Sequence, residues 1–267
     1  LREREEYSFE PADLGNIYHM VLERFAGKLV EHGKTWFNFD ETEADAWLQA
    51  SLLESTTSYG ETILYSNARY EYMTERILRI LRRTVRTLKT QLLGGAFVPS
   101  HFEMSFQRVE DLDAVNIALS EHEKMKLKGR IDRIDTFEDE EHVYVKVIDY
   151  KSGNKKFDLA ALYYGLQLQL VVYMNVAVEV EKRRNLGKEV VPAALLYYHV
   201  ADPLVKEEKE LSPEEINDRM LKELRTTGIV SAEEPVVSLL DRTLSGKSLL
   251  IPVERKKDGS FSASSSV

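Results

Sequence analysis

The sequence predicts an α/β fold: a sheet core preceded by an N-terminal helical layer. Three observations predict it. Apolar residues recur at helical spacing through roughly the first 93 positions. The pattern then breaks at Gly94, Gly95 and Pro99, and period-two alternation begins. Beyond that break, strand, hairpin, helix and strand follow one another, the order of a layered sheet-and-helix domain.

Each element has its own warrant. Pro11 suits a helical first turn, and Leu14, Ile17, Val21, Leu22, Phe25 and Leu29 carry one apolar face to about residue 31. More helix is expected at about 40–58 and 65–93, the latter with the stripe Leu78, Leu81, Val85, Leu88 and Leu92. HFEMSFQ, 101–107, alternates like a strand. MKLKGRIDRIDTF and HVYVKVIDYKSG read as two strands joined by the polar loop EDEE, a hairpin over 126–153. Asp158 is a natural N-cap for a helix expected over 158–184, apolar nearly all round and therefore buried. VPAALLYYHV, 191–200, is a further strand, and Ser212 with Glu215 forms a capping-box pattern for a surface helix.

The chain reads as a single domain over 1–267: a mainly helical layer 1–99, a sheet core 100–200, and an extension 201–267 in which one helix is legible. It starts on Leu1 and ends in DGSFSASSSV with no closing element, so a truncated fragment is expected.

Composition narrows the function. Of 267 residues, 43% are hydrophobic and 30% charged, ordinary values for a globular protein. No stretch approaches the roughly 18 consecutive apolar residues of a membrane span. LREREEYSFE is charged where a secretion signal would be apolar, so a cytoplasmic protein without a membrane partner is expected. The absence of cysteine excludes disulfides, thiolate catalysis and cysteine-held zinc or iron–sulfur sites within the chain. A formal charge of −9 argues against general coating of nucleic acid but leaves room for a local basic patch. Arg76, Arg79, Arg83 and Arg86 share one helical face, either as a DNA track or as a solvated surface.

The hairpin carries the chemistry. Asp149 and Lys151, at i and i+2, point to the face that Val143, Val145 and Val147 occupy. A pairing that sets Asp135 against Lys146 and Phe137 against Tyr144 also sets Ile134 against Val147 and Asp132 against Asp149. Two carboxylates then face each other at roughly 5 Å between Cβ atoms. Such a pair beside valines opposes folding unless something positive sits between them. Hard oxygen ligands suit Mg²⁺ or Mn²⁺, with Lys151 placed to orient water or stabilise developing charge. A structural ion pair between Lys151 and one aspartate is the alternative. His19, one turn from Gly15, is a candidate ligand if the glycine makes room beside the imidazole. Gln169 and Tyr173, also one turn apart, form a polar pair in the expected buried helix, satisfied either by the backbone or by the site.

In series, G-x-x-x-H, G-x-x-D-R-x-D, D-Y-K-S-G and Q-x-x-x-Y resemble the RecB-type branch of the PD-(D/E)XK nucleases. LKGRIDRID, DYKSGNKKFDL and YYGLQLQLVVYMNVA resemble more closely the nuclease domains of AddB-type subunits of bacterial helicase–nucleases. The resemblance covers most of residues 1–200 and implies a restriction-endonuclease-like mixed sheet flanked by helices. It implies Mg²⁺-dependent, Mn²⁺-tolerant cleavage of single-stranded DNA from unwound ends, beside an AddA-type subunit, in recombinational repair. It assigns His19, Asp132, Asp149 and the Tyr150 carbonyl as metal ligands, Lys151 as catalytic lysine, and Gln169 with Tyr173 as positioning groups. It also implies a 4Fe–4S cluster in the full subunit, whose cysteines this chain lacks. The competing expectation is a non-catalytic module that guides DNA.

Overall fold

The structure, a computed structural model, describes residues 11–59, 68–106, 112, 116–118, 124–153, 157–203 and 212–267. It falls into two compact units. One takes the described residues of Leu1–Lys89, Lys151–Asn154 and His199–Asp202, and the other those of Thr90–Tyr150, Lys155–Tyr198 and Pro203–Val267.

The first unit is helical, as its periodicity dictates: α1 (Pro11–Glu31), α2 (Glu41–Tyr59) and most of α3 (Ala68–Gly94). α1 buries Ile17, Val21, Leu22, Phe25 and Leu29. Phe25 meets Trp36 and Phe39 edge-on at 5.5 and 5.6 Å between centroids, filling the turn into α2. Glu54 of α2 receives Arg24 at 3.0 Å and Lys28 at 2.9 Å, so charge ties the rims of a joint that apolar burial holds. The expected stripe of α3, Leu78, Leu81, Val85, Leu88 and Leu92, is buried throughout.

The second unit is built on a five-stranded sheet. Its strands are β1 (Val98–Ser105), β4 (Arg130–Glu138), β5 (His142–Lys151), β6 (Glu189–His199) and β7 (Thr227–Val230), in that spatial order. β2 (Asn116–Ala118) and β3 (Lys124–Lys126) form a separate two-stranded ribbon. β1–β4, β4–β5 and β6–β7 are antiparallel. β6 starts beside β5's start, with Glu189 N–H donating to Glu141 O at 2.9 Å. It ends beside β5's end, with Val200 N–H donating to Lys151 O at 2.9 Å, so this pair is parallel and the sheet is mixed. A parallel pair needs a crossover, and the helices α4 (Leu159–Tyr163) and α5 (Gln169–Arg184) supply it. α5 lays Leu170, Met174, Ala177 and Val180 on Ile134, Val143, Val145 and Val147 of the sheet. The expected hairpin register holds residue for residue, with Asp135↔Lys146, Phe137↔Tyr144 and Ile134↔Val147 paired.

Three expectations need correction. The helix foreseen over 158–184 is two helices, because Gly165 adopts φ +76° and turns the chain between them. Its first part is not buried: Leu159, Tyr163, Tyr164, Leu166 and Leu168 are all exposed. The strand foreseen from Met125 is interrupted before Arg130, where a side chain at Gly129 would overlap the Phe106 ring. Finally, the extension holds β7 and a short helix, α7 (Glu234–Leu240), besides the foreseen α6 (Pro213–Glu223). Gly228, at φ +139°, lets β7 approach Leu195 O more closely than any Cβ allows. The serine-rich end is tied in rather than trailing, with Val230 N–H donating to Ser266 O at 2.9 Å.

Candidate active site

Strand register alone assembles a row of acids. In the β1–β4 ladder, Phe102↔Arg133 and Met104↔Ile131 bracket Glu103 and Asp132, which are therefore neighbours. The β4–β5 ladder is paired as far as Arg133↔Ile148, and Asp132 and Asp149 are the next positions of the two strands. Three adjacent strands thus carry Glu103, Asp132 and Asp149 across the sheet. A Glu103 oxygen and an Asp132 oxygen lie within 4.8 Å of one another. Carboxylate oxygens gathered in this way are the hard donors that would hold a divalent cation.

Each acid is held in place. Asp132 Oδ2 accepts the Tyr150 N–H at 2.7 Å, and Asp132 is only 6% exposed. Asp149, 1% exposed, accepts on Oδ1 from Gln169 Nε2 at 3.0 Å. The same Nε2 donates to Tyr173 Oη at 2.9 Å. Gln169 and Tyr173 open α5 one turn apart, so the helix that covers the valines also aims its amide at the carboxylate. Tyr173 packs edge-on against Phe106 at 6.1 Å between centroids, and burial raises its hydroxyl pKa. Tyr197 is likewise raised, first by burial and then by the charge of Asp149.

Glu103 is not singled out by the sequence. Its backbone has φ +48°, in the left-handed region, and the β1–β4 register shifts between Pro99 and His101. Strained backbone next to a bulge is a common device for re-aiming a side chain at a functional site. Arg130 Nε approaches Glu103 Oε2 at 2.6 Å, so the acid already has one cationic neighbour.

The opposite face of the hairpin carries a buried ionic network. Arg133 Nε and Nη2 donate to Asp135 Oδ1 and Oδ2, both at 2.6 Å, and Lys146 Nζ lies 2.9 Å from Asp135 Oδ2. Arg133 Nη1 donates to Tyr150 Oη at 3.4 Å. Burial favours a neutral Asp135, but the charges of Arg133 and Lys146 outweigh it and hold this carboxyl below its usual range. Burial pushes the Tyr150 hydroxyl up to about 12. Pairing of Asp135 with Lys146 is legible from register. The participation of Arg133 is not.

Lys151 is the last residue of β5, half-buried, two positions beyond Asp149 and so on the same side of the strand. His19 is half-buried on α1, in the helical unit. The reading that Gly15 makes room for the His19 imidazole is corrected: a Cβ at Gly15 would meet Ser152 Oγ at 2.9 Å, so the space serves the turn that follows Lys151. Tyr150 is buried, with its N–H on Asp132.

The arginines of α3 lie among acidic side chains. Arg79 and Arg83 both pair with Asp202, and Arg86 Nη2 with Glu41 at 2.9 Å, while Arg76 is exposed. In chemistry, a set of carboxylate oxygens fits Mg²⁺ or Mn²⁺. With no cysteine, the chain offers no thiolate ligand to a metal or cluster.

The amino-acid sequence matches known proteins. The sequence model of the PD-(D/E)XK nuclease superfamily matches residues 1–252. The chain is 39% identical over 276 residues to the B subunit of the ATP-dependent helicase/deoxyribonuclease of Lachnoclostridium phytofermentans, covering 100% of this chain and 23% of that protein. Identity to the protein of the same name is 38% over 268 residues in Clostridium novyi, covering 99% and 23%. In Thermoanaerobacter sp. it is 36% over 260 residues, covering 97% and 22%. The chain therefore spans under a quarter of the length of these relatives. With its mixed sheet, its acids aligned across adjacent strands and a lysine two residues beyond the last of them, the chain belongs to the PD-(D/E)XK nuclease superfamily.

Proposed function

We propose that this chain is the nuclease part of the B subunit of an ATP-dependent helicase/deoxyribonuclease, hydrolysing phosphodiester bonds in single-stranded DNA released from unwound duplex ends. It works in the cytoplasm beside an AddA-type subunit, in double-strand break repair by homologous recombination. The row Glu103–Asp132–Asp149, with Lys151 next in line, is the observation that carries the reading.

Asp132, Asp149 and Glu103 would hold Mg²⁺, for which Mn²⁺ substitutes. His19 and the Tyr150 carbonyl would join them, as the family resemblance implies. When bound, the ion supplies positive charge to the scissile phosphate and acidifies water. The chain's own groups do the rest. Gln169 fixes the Asp149 carboxylate and the Tyr173 hydroxyl with one amide. Lys151 orients the attacking water or stabilises the charge that builds on the phosphate oxygens. The pairing of Arg79, Arg83 and Arg86 with acids leaves them the weaker candidates for DNA contact.

The test is cleavage by the full-length protein, paired with a partner whose own nuclease is disabled, on DNA labelled on each strand in turn. Wild type should cut one strand in Mg²⁺ or Mn²⁺, and Asp149→Ala should not. A wild-type protein that binds DNA yet cuts neither strand would return the chain to the role of a guiding module.

A further inference from the structure

The stretch 159–168, between the catalytic hairpin and α5, exposes apolar surface that the fold does not use. Tyr163 is 84% exposed and Tyr164 76%, with Leu159, Leu166 and Leu168 beside them. The segment is nonetheless fixed. Asp158 caps α4 by accepting from Ala160 N–H at 2.8 Å and Ala161 N–H at 3.2 Å, and its own N–H donates to Gln167 Oε1 at 3.2 Å. Tyr164 N–H donates to Ala160 O at 3.0 Å, Gly165 N–H to Leu162 O at 3.0 Å, and Leu166 N–H to Ala161 O at 2.8 Å. An ordered frame therefore holds two tyrosine rings outward. They stand nearly perpendicular, at 83°, with centroids 5.3 Å apart, so one can present a flat face while the other braces it.

Two further features say what covers them. Residues 159–173 contain no charged side chain, in a chain of formal charge −9, so an anionic polymer meets no carboxylate from this run. The same run leads directly into Gln169, whose amide holds Asp149. Exposed aromatic rings on a fixed frame, uncharged and continuous with a phosphodiester-cleaving site, fit unpaired bases, which stack on aromatic faces whatever their identity. A duplex has its bases already stacked and offers these rings nothing comparable.

We propose that Tyr163 and Tyr164 form a stacking platform for bases of single-stranded nucleic acid next to the strand entering the active site. The proposal rests on the nuclease reading and adds a binding site to it. It gives the two adjacent exposed rings a role, and it accounts for a crossover split at Gly165 rather than running as one helix.

The test uses the full-length protein in EDTA, where cleavage plays no part. Anisotropy of a labelled oligothymidylate should show the Tyr163→Ala/Tyr164→Ala pair binding about tenfold more weakly than wild type, the order expected for loss of base stacking. Tyr163→Phe/Tyr164→Phe should bind as wild type, because stacking needs the ring and not the hydroxyl. An oligonucleotide carrying 5-iododeoxyuridine should photo-crosslink to one of these two tyrosines. Unchanged affinity in the alanine pair overturns the proposal, as do equal loss in the phenylalanine pair or crosslinks confined to other segments. Weakened association with the partner subunit at unchanged oligonucleotide affinity assigns the patch to a protein partner and also overturns it. A protein that crosslinks at these tyrosines but never cuts upholds the platform and sinks only the nuclease reading.

Discussion

Asp132 on β4 accepts through Oδ2 the backbone N–H of Tyr150, at 2.7 Å, on the strand that carries Asp149 and Lys151. On the proposed function one carboxylate would do two jobs: it fixes the hairpin at the place where catalysis is proposed, and it would help to hold a cation. The two jobs separate by substitution. Asp132→Asn keeps an acceptor for Tyr150 N–H and should unfold in urea near the wild-type midpoint, while Mn²⁺ no longer raises its melting temperature. Asp132→Ala strands a buried N–H and should lose about 1–3 kcal/mol besides. Equal stability of the two variants would remove the structural half of the argument.

Much of this is legible in the sequence because it is local. The hairpin register follows from the alternation of Val143, Val145 and Val147 and from the charge match of Asp135 with Lys146, and it puts Asp132 beside Asp149 with no tertiary knowledge. Glu103 is not legible, since its place depends on β1 pairing with a strand some thirty residues away across an irregular register. The exposed crossover escapes the sequence for a different reason. Leu159, Tyr163 and Leu166 read as burial in any pattern argument, and only the turn at Gly165 shows that the run faces out.

Gln169 should matter through Asp149 rather than through the fold. Its side chain is only partly buried, and its amide spans Asp149 Oδ1 and Tyr173 Oη. Gln169→Leu preserves volume and helix propensity but removes both bonds, so the Asp149 carboxylate loses a fixed rotamer. By analogy with groups that orient metal ligands, a loss of about 10- to 100-fold in metal affinity or activity is expected. Cleavage titrated against Mg²⁺ should show the half-saturating concentration rising, with little change in melting temperature. A proportional fall in stability with unchanged Mg²⁺ dependence would make Gln169 a core residue.

The network behind the hairpin sets an acid limit. Asp135 is charged at neutral pH because Arg133 and Lys146 hold its carboxyl below the ordinary range against the opposing effect of burial. A carboxyl with a depressed folded-state pKa contributes stability that is fully present above its unfolded value, about 4, and lost as pH falls through the folded value. The urea midpoint should therefore drop steeply below about pH 4, with Asp45 and Glu54, also held low by Arg82 and Lys28, adding smaller shares. Asp135→Asn leaves the buried Arg133 guanidinium uncompensated and should cost about 3–5 kcal/mol at pH 7. The difference between wild type and variant should then shrink on acidification. A constant difference across the range would show that Asp135 does not titrate as the network requires.

Gly15 offers a test that reaches the lysine from within the helical unit. A methyl or larger group at this position would stand 2.9 Å from Ser152 Oγ, one residue beyond Lys151, and something must shift. Gly15→Val should therefore displace the Lys151–Ser152 turn, while the substitution itself suits a helix better than glycine does. The expected signature is unusual: a protein at least as resistant to heat as its overpacking permits, with cleavage reduced about tenfold or more, since misplacement of about 1 Å can cost 100-fold. Ser152→Ala deletes the hydroxyl that the new side chain would meet. In the double variant Gly15→Ala/Ser152→Ala the nearest remaining atom is the Ser152 position's Cβ, at 3.9 Å, an ordinary contact, and cleavage should return toward wild type. If Gly15→Ala impairs cleavage and Ser152→Ala does not rescue it, the glycine acts on some neighbour other than the turn after Lys151.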